Sequence, residues 1–188
     1  MEEQLYNLWI KRNPYWEKRY EESVLTKFSD YGNGETSMRE SRGKIYGAGY
    51  EILVIAFFLG LYHGRRRPLT EDSNKKKVLG QPIQYWGNLN VAKSSGRKPY
   101  HDLMDYIFMA LVAKTDIDFI ALDKGEIEAN DVVRQLMTTM EEYINYGLNF
   151  IDDKLRDDPD IFFTDTAFLD LFMSPSPTSD DSELESLD

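Results

Sequence analysis

Residues 45–68 read IYGAGYEILVIAFFLGLYHGRRRP, a strongly apolar segment that stops at three consecutive arginines. Ile52, Leu53, Val54, Ile55, Phe57, Phe58 and Leu59 point in every helical direction, so a helix here must be enclosed on nearly all sides. The β-branched residues and the two phenylalanines would also suit a buried strand. Length separates the two, because a strand of about twenty residues would be exceptional and a helix of three to five turns is ordinary. The pattern predicts a core helix that begins near Arg42 and ends at Gly64, with Pro68 close enough to prevent continuation. Fully burying each of its large side chains stabilises by roughly 1.5 to 3 kcal/mol, which makes the segment the main stabiliser of the chain. Gly47, Ala48 and Gly49 would let a second helix approach closely.

The same stretch raises the question of a membrane. Its uninterrupted apolar run, from Ile52 to Tyr62, is eleven residues long, whereas a bilayer-spanning helix needs about 20. Arg65, Arg66 and Arg67 resemble a positive-inside flank, but Glu51 and the small residues before it make a buried core helix the better account. No membrane partner is therefore expected. The opening MEEQLYNLWIK has neither a basic region nor a continuous apolar run of the secretory kind, so a cytoplasmic protein is expected. The absence of cysteine excludes a disulfide framework, a zinc ribbon and thiol catalysis.

At 188 residues the chain is long enough for one domain with a real core. We expect a single helical domain over residues 1–173, with a basic, loop-rich segment at 65–99. Residues 174–188, SPSPTSDDSELESLD, have the composition of a disordered acidic tail. The net charge of −11 conceals a segregation: residues 1–100 hold 17 Lys+Arg against 11 Asp+Glu, and residues 101–188 hold 5 against 22. Such asymmetry suggests a basic surface for a polyanion, or a basic region that meets an acidic partner.

The remaining periodicities are helical. Leu5, Leu8 and Trp9 suggest a helix over residues 3–11. Trp16, Tyr20 and Val24 form an i, i+4 ladder that predicts another over 15–28, opened by Pro14. Residues 30–37, DYGNGETS, are a loop by composition. Leu103, Ile107, Ala110 and Leu111 share one face of a predicted helix over 100–114. Val132, Leu136, Met140, Tyr143, Ile144, Leu148 and Ile151 form the apolar stripe of a long helix over about 127–155. Asn130 and Asp131 are candidate caps for it. RDDPD at 156–160 stops it, and Thr164 or Asp165 could cap a short last helix with Phe168, Leu169, Leu171 and Phe172. The fold class that emerges is all-α: a compact helical bundle around a central buried helix.

No reaction is spelled out. His63 and His101 are the only histidines, lack metal-ligand spacing, and read as polar surface at helix termini. There is no GxSxG elbow, Walker loop or GxGxxG. No catalytic residue, metal or cofactor is assigned. One arginine after a helix would complement the helix dipole. Three of them, Arg65, Arg66 and Arg67, followed by Lys75, Lys76, Lys77, Lys93, Arg97 and Lys98 with Tyr85 and Trp86 interleaved, resemble a nucleic-acid surface in composition. Contacts of that kind go to the backbone, with strong salt dependence and little sequence readout. The plain alternative is that Lys-rich loops are solvated surface.

The order GYEILVIAFFLGLYHGRRRPL, then DLMDYIFMALVAK, then MEEYINYGLNFI resembles proteins of the DndE type, from bacterial DNA phosphorothioation and phage-restriction systems. The resemblance covers about residues 45–155 and is one of pattern. Ile144, Asn145 and Gly147 match the closing element of that family, and Tyr146 stands where the family has a basic residue. The resemblance implies a compact helical bundle that forms oligomers and binds double-stranded DNA through surface lysines, without an established catalytic centre. Two functions follow as expectations: a DNA-backbone-binding accessory subunit of a modification or phage-defence system, or an interaction subunit of a cytoplasmic multi-protein complex. Self-association fits either, because the main helix is apolar all round.

Overall fold

A computed structural model describes residues 2–29, 46–87, 102–164 and 166–173. The acidic segment 174–188, His101, and the basic residues Lys93, Arg97 and Lys98 lie outside the described residues. The elements in order are α1 (Glu2–Trp9), β1 (Tyr15–Glu17), a π-helical turn (Glu21–Leu25) leading into α2 (Thr26–Phe28), α3 (Gly49–His63), β2 (Lys76–Val78), α4 (Leu103–Lys114), α5 (Phe119–Asp123), α6 (Ala129–Asp157) and α7 (Ala167–Met173). The fold is all-α, with β1 and β2 as a small antiparallel pair.

The long α6 is organised by its apolar stripe. All seven residues from Val132 to Ile151 named above are buried, while Arg134, Gln135 and Thr138 on its other side are exposed. Against this stripe lies α3, whose Ile52, Leu53, Ala56, Phe57 and Leu59 are fully buried. Their closest approach is made by two glycines. A Cβ on Gly147 would stand 2.0 Å from the Ala56 carbonyl oxygen, and one on Gly60 would stand 2.5 Å from that of Tyr143. The close crossing of α3 and α6 is therefore at Gly60 and Gly147.

The start of α3 also differs from the expectation. Residues 46–48 precede the helix: Tyr46 N–H donates to the Phe28 carbonyl at 2.9 Å, and Ala48 is extended. Glu51, in the first turn, accepts the Gly47 N–H at 2.9 Å and so satisfies a donor just ahead of the helix. At the other end Gly64 adopts φ 63°, where an L side chain is strained.

Residues 15–19 correct a second expectation: the helix expected over 15–28 is present only from Tyr20 to Phe28. Trp16, Tyr20 and Val24 are all fully buried, as their spacing suggests, yet Trp16 lies on a strand, Tyr20 at the start of the π-helical turn and Val24 within it. The cause is long-range pairing, which sets Tyr15, Trp16 and Glu17 opposite Val78, Lys77 and Lys76. Lys76 and Lys77 accordingly sit in a strand instead of a loop. The sequence also gave no sign of α5, which Asp118 caps by accepting the Ala121 N–H at 2.8 Å. Among the described residues, no helix is long and apolar enough to cross a membrane.

Candidate nucleic-acid interface

Where α3 ends, the chain forms a strap, residues 64–70, that is held by its backbone. Gly64 N–H donates to the Leu61 carbonyl at 3.1 Å and Arg65 N–H to that of Gly60 at 3.0 Å, the pairing of a Schellman cap. Next, Arg67 N–H donates to the Glu142 carbonyl of α6 at 3.1 Å. The fully buried Asn145 then donates its amide to the carbonyl oxygens of Pro68 at 2.9 Å and Arg67 at 3.3 Å. Its third acceptor is Glu17 at 3.1 Å, and Glu17 also accepts the Thr70 N–H at 2.8 Å. With the main chain pinned in this way, the Arg65, Arg66 and Arg67 side chains are left to the surface, where all three residues are exposed.

The strap adjoins β1 and β2 through Glu17, which is opposite Lys76 in the sheet. Through Glu17 and Asn145 the Arg67–Thr70 end of the strap is tied to the sheet at Lys76, while Lys77, the next strand residue, points to the other face. Arg19 joins this network. Its Nε lies 2.7 Å from Glu17, its guanidinium sits 4.5 Å from the Tyr20 ring centroid, and it donates to the Tyr20 hydroxyl. That hydroxyl donates to Asn149 Oδ1 at 3.3 Å, which also accepts from Arg67 at 2.7 Å. No local signal marked Arg19, because it sits in a segment whose pattern speaks only of packing.

Several of these cations have partners within the chain. Arg66 is 3.8 Å from Glu142, Lys75 is 3.8 Å from Asp72, and Lys77 is 2.5 Å from Glu21. Lys76 interacts electrostatically with Glu141, and Arg65 with the Tyr146 hydroxyl. The Arg66 and Lys75 side chains remain 47% and 73% exposed. Ion pairs of such exposure are worth about 0 to 1 kcal/mol, so an incoming phosphate can displace the carboxylate at little cost.

His63 differs from the expected polar surface, for it is buried in the last turn of α3. Its Nδ1 lies 3.2 Å from the Tyr146 hydroxyl, and its ring meets that of Phe150 edge-on at 4.8 Å. Burial lowers its pKa, and a hydrogen bond to the Leu171 backbone opposes the shift. Each residue of the stretch Ile144–Gly147 therefore has structural work. Ile144 is core, Asn145 holds the strap, Tyr146 meets His63, and Gly147 admits α3. Among the described residues, no group of three His, Cys, Asp or Glu could hold a metal ion. Comparison with protein-family models, curated proteins and solved structures gives no match to this chain.

Proposed function

We propose that the chain is a non-catalytic accessory subunit that binds the DNA backbone and works in a bacterial modification or phage-defence complex. The observation that carries this reading is the strap. Three consecutive arginines are exposed on a segment whose backbone is hydrogen-bonded at Arg65 and Arg67, beside a strand that brings further lysines. Phosphate recognition favours such a preorganised set of guanidiniums, since less side-chain and backbone freedom is lost on binding. The DndE-type resemblance supports the modification or defence setting, and with it come the other subunits of such a complex, self-association and a cytoplasmic location.

Titrating duplex DNA at several salt concentrations tests the reading. Affinity is expected to fall steeply with salt, and Arg65→Ala, Arg66→Ala and Arg67→Ala together should weaken it. Loss of three phosphate contacts would reduce the salt slope by about 2.7. Undiminished binding by the triple variant overturns the assignment.

The existing ion pairs favour a second reading, an interaction subunit whose mixed-charge face meets another protein. A partner retained from nuclease-treated lysate, combined with salt-insensitive or absent DNA binding, would favour it over the first.

A further inference from the structure

A cleft of about 790 Å³ opens between the connection from α1 to β1 and the first half of α6, and none of the strap arginines lines it. That volume lies within the roughly 300 to 1,000 Å³ of small-molecule sites. One wall exposes an apolar pair set directly across the sheet, Tyr15 and Val78, at 48% and 46%. Exposing an aromatic ring and a β-branched side chain side by side leaves an apolar surface against which a flat ring can stack. Buried Val133 and Met137 of α6 also line the cleft.

Positive charge enters from both walls. Lys11 and Arg12 come from the connection after α1, and Arg134 comes from α6. Arg12 donates to Asn130 Oδ1 at 2.9 Å, a neutral partner. Arg134 pairs with Asp131 at 2.8 Å, but its side chain is 75% exposed and the pair is weak. Two acids, Glu128 and Glu141, face the cleft as well. Burial raises the pKa of Glu141 to about 7, so near neutrality a large share of it carries no charge.

We infer that this cleft binds an aromatic phosphate, with the ring against Tyr15 and Val78 and the phosphate between Lys11, Arg12 and Arg134. The inference is independent of the strap, because it uses none of the strap residues. Neither part of the ligand suffices alone. A phosphate without a ring meets only exposed, strongly hydrated cations, and a ring without a phosphate gains only a shallow apolar wall.

The test is methyl NMR on the full chain labelled at methionine, with the Met137 signal assigned from a Met137→Leu variant. Adenosine 5′-monophosphate and phenyl phosphate are titrated separately, with adenosine and inorganic phosphate as the divided probes. A saturable Met137 shift with either aromatic phosphate is expected, with binding at least about tenfold weaker for each divided probe. Lys11→Ala with Arg134→Ala should raise the apparent Kd about tenfold while leaving the methionine spectrum of the free protein folded in form. No saturable shift with either aromatic phosphate overturns the inference. So does equal affinity for adenosine, or unchanged affinity in the double variant.

Discussion

Replacing Gly147 by alanine would set a Cβ 2.0 Å from the Ala56 carbonyl oxygen, with the Ala56 carbonyl carbon and Cα also within 2.6 Å. Ordinary contact begins near 3.4 Å, so the backbones of α3 and α6 would have to part by about 1.4 Å at this point. The obstacle is main chain on a neighbouring helix and has no rotamer to change. Overpacking of this sort costs about 1 to 3 kcal/mol, and a clash with backbone belongs at the upper end. Helix propensity acts the other way, since alanine is better than glycine by about 1 kcal/mol in a helix interior. Packing wins, and Gly147→Ala is expected to lose about 2 kcal/mol or more. For a chain of this size that corresponds to a fall in Tm of about 4 to 8 °C. Urea unfolding with a constant m-value, backed by a thermal scan, measures it. Gly80→Ala is the control, because nothing lies within 4 Å of its Cβ position. Gly147→Ala matching or exceeding the parent in stability would refute the close crossing, for propensity alone would then have decided the outcome.

Glu141 makes the stability depend on pH. Its folded pKa, raised to about 7 by burial against an ordinary 4.5, means that its contribution is complete below about pH 4.5 and is lost as pH rises through 7. The Tyr15 N–H and Lys76 favour the charged form and Glu142 opposes it, all within that net shift. The loss is about 3 kcal/mol at most, less what solvent screens. Glu141→Gln keeps an acceptor for the Tyr15 N–H and should flatten this part of the stability curve between pH 5 and 8; parallel curves for parent and variant would contradict the assignment. Asn145→Ala removes the donor shared by Arg67, Pro68 and Glu17, and a loss of about 1 to 3 kcal/mol is expected on denaturant unfolding. The same variant should weaken DNA binding although no charge is removed. Affinity equal to the parent's would mean that the pinned strap has no bearing on binding.

The helical core is legible in the sequence because its signals are local. The stripe from Val132 to Ile151 repeats with the helical period, and α6 buries all of it. Gly64 and Pro68 announce the end of α3, where the structure has a left-handed glycine and a Schellman cap. The three arginines after it stand out by composition, and they are exposed. Residues 15–17 are where local reading fails. The i, i+4 spacing of Trp16, Tyr20 and Val24 names the buried side chains correctly, yet the backbone of Trp16 is committed to pairing with Lys77.

The sequence by itself determined most of the apolar side chains that avoid water, the approximate course of the two main helices and where positive charge gathers, because hydrophobic period and charge density are written into neighbouring residues. Tertiary structure alone decided that Gly60 and Gly147, 87 positions apart, meet backbone on the opposite helix. It alone turned Asn145 into the clamp of the arginine strap and brought Arg19 to the same network. Those roles arise from contacts between distant segments, and nothing in the local pattern of either partner encodes where the other will stand.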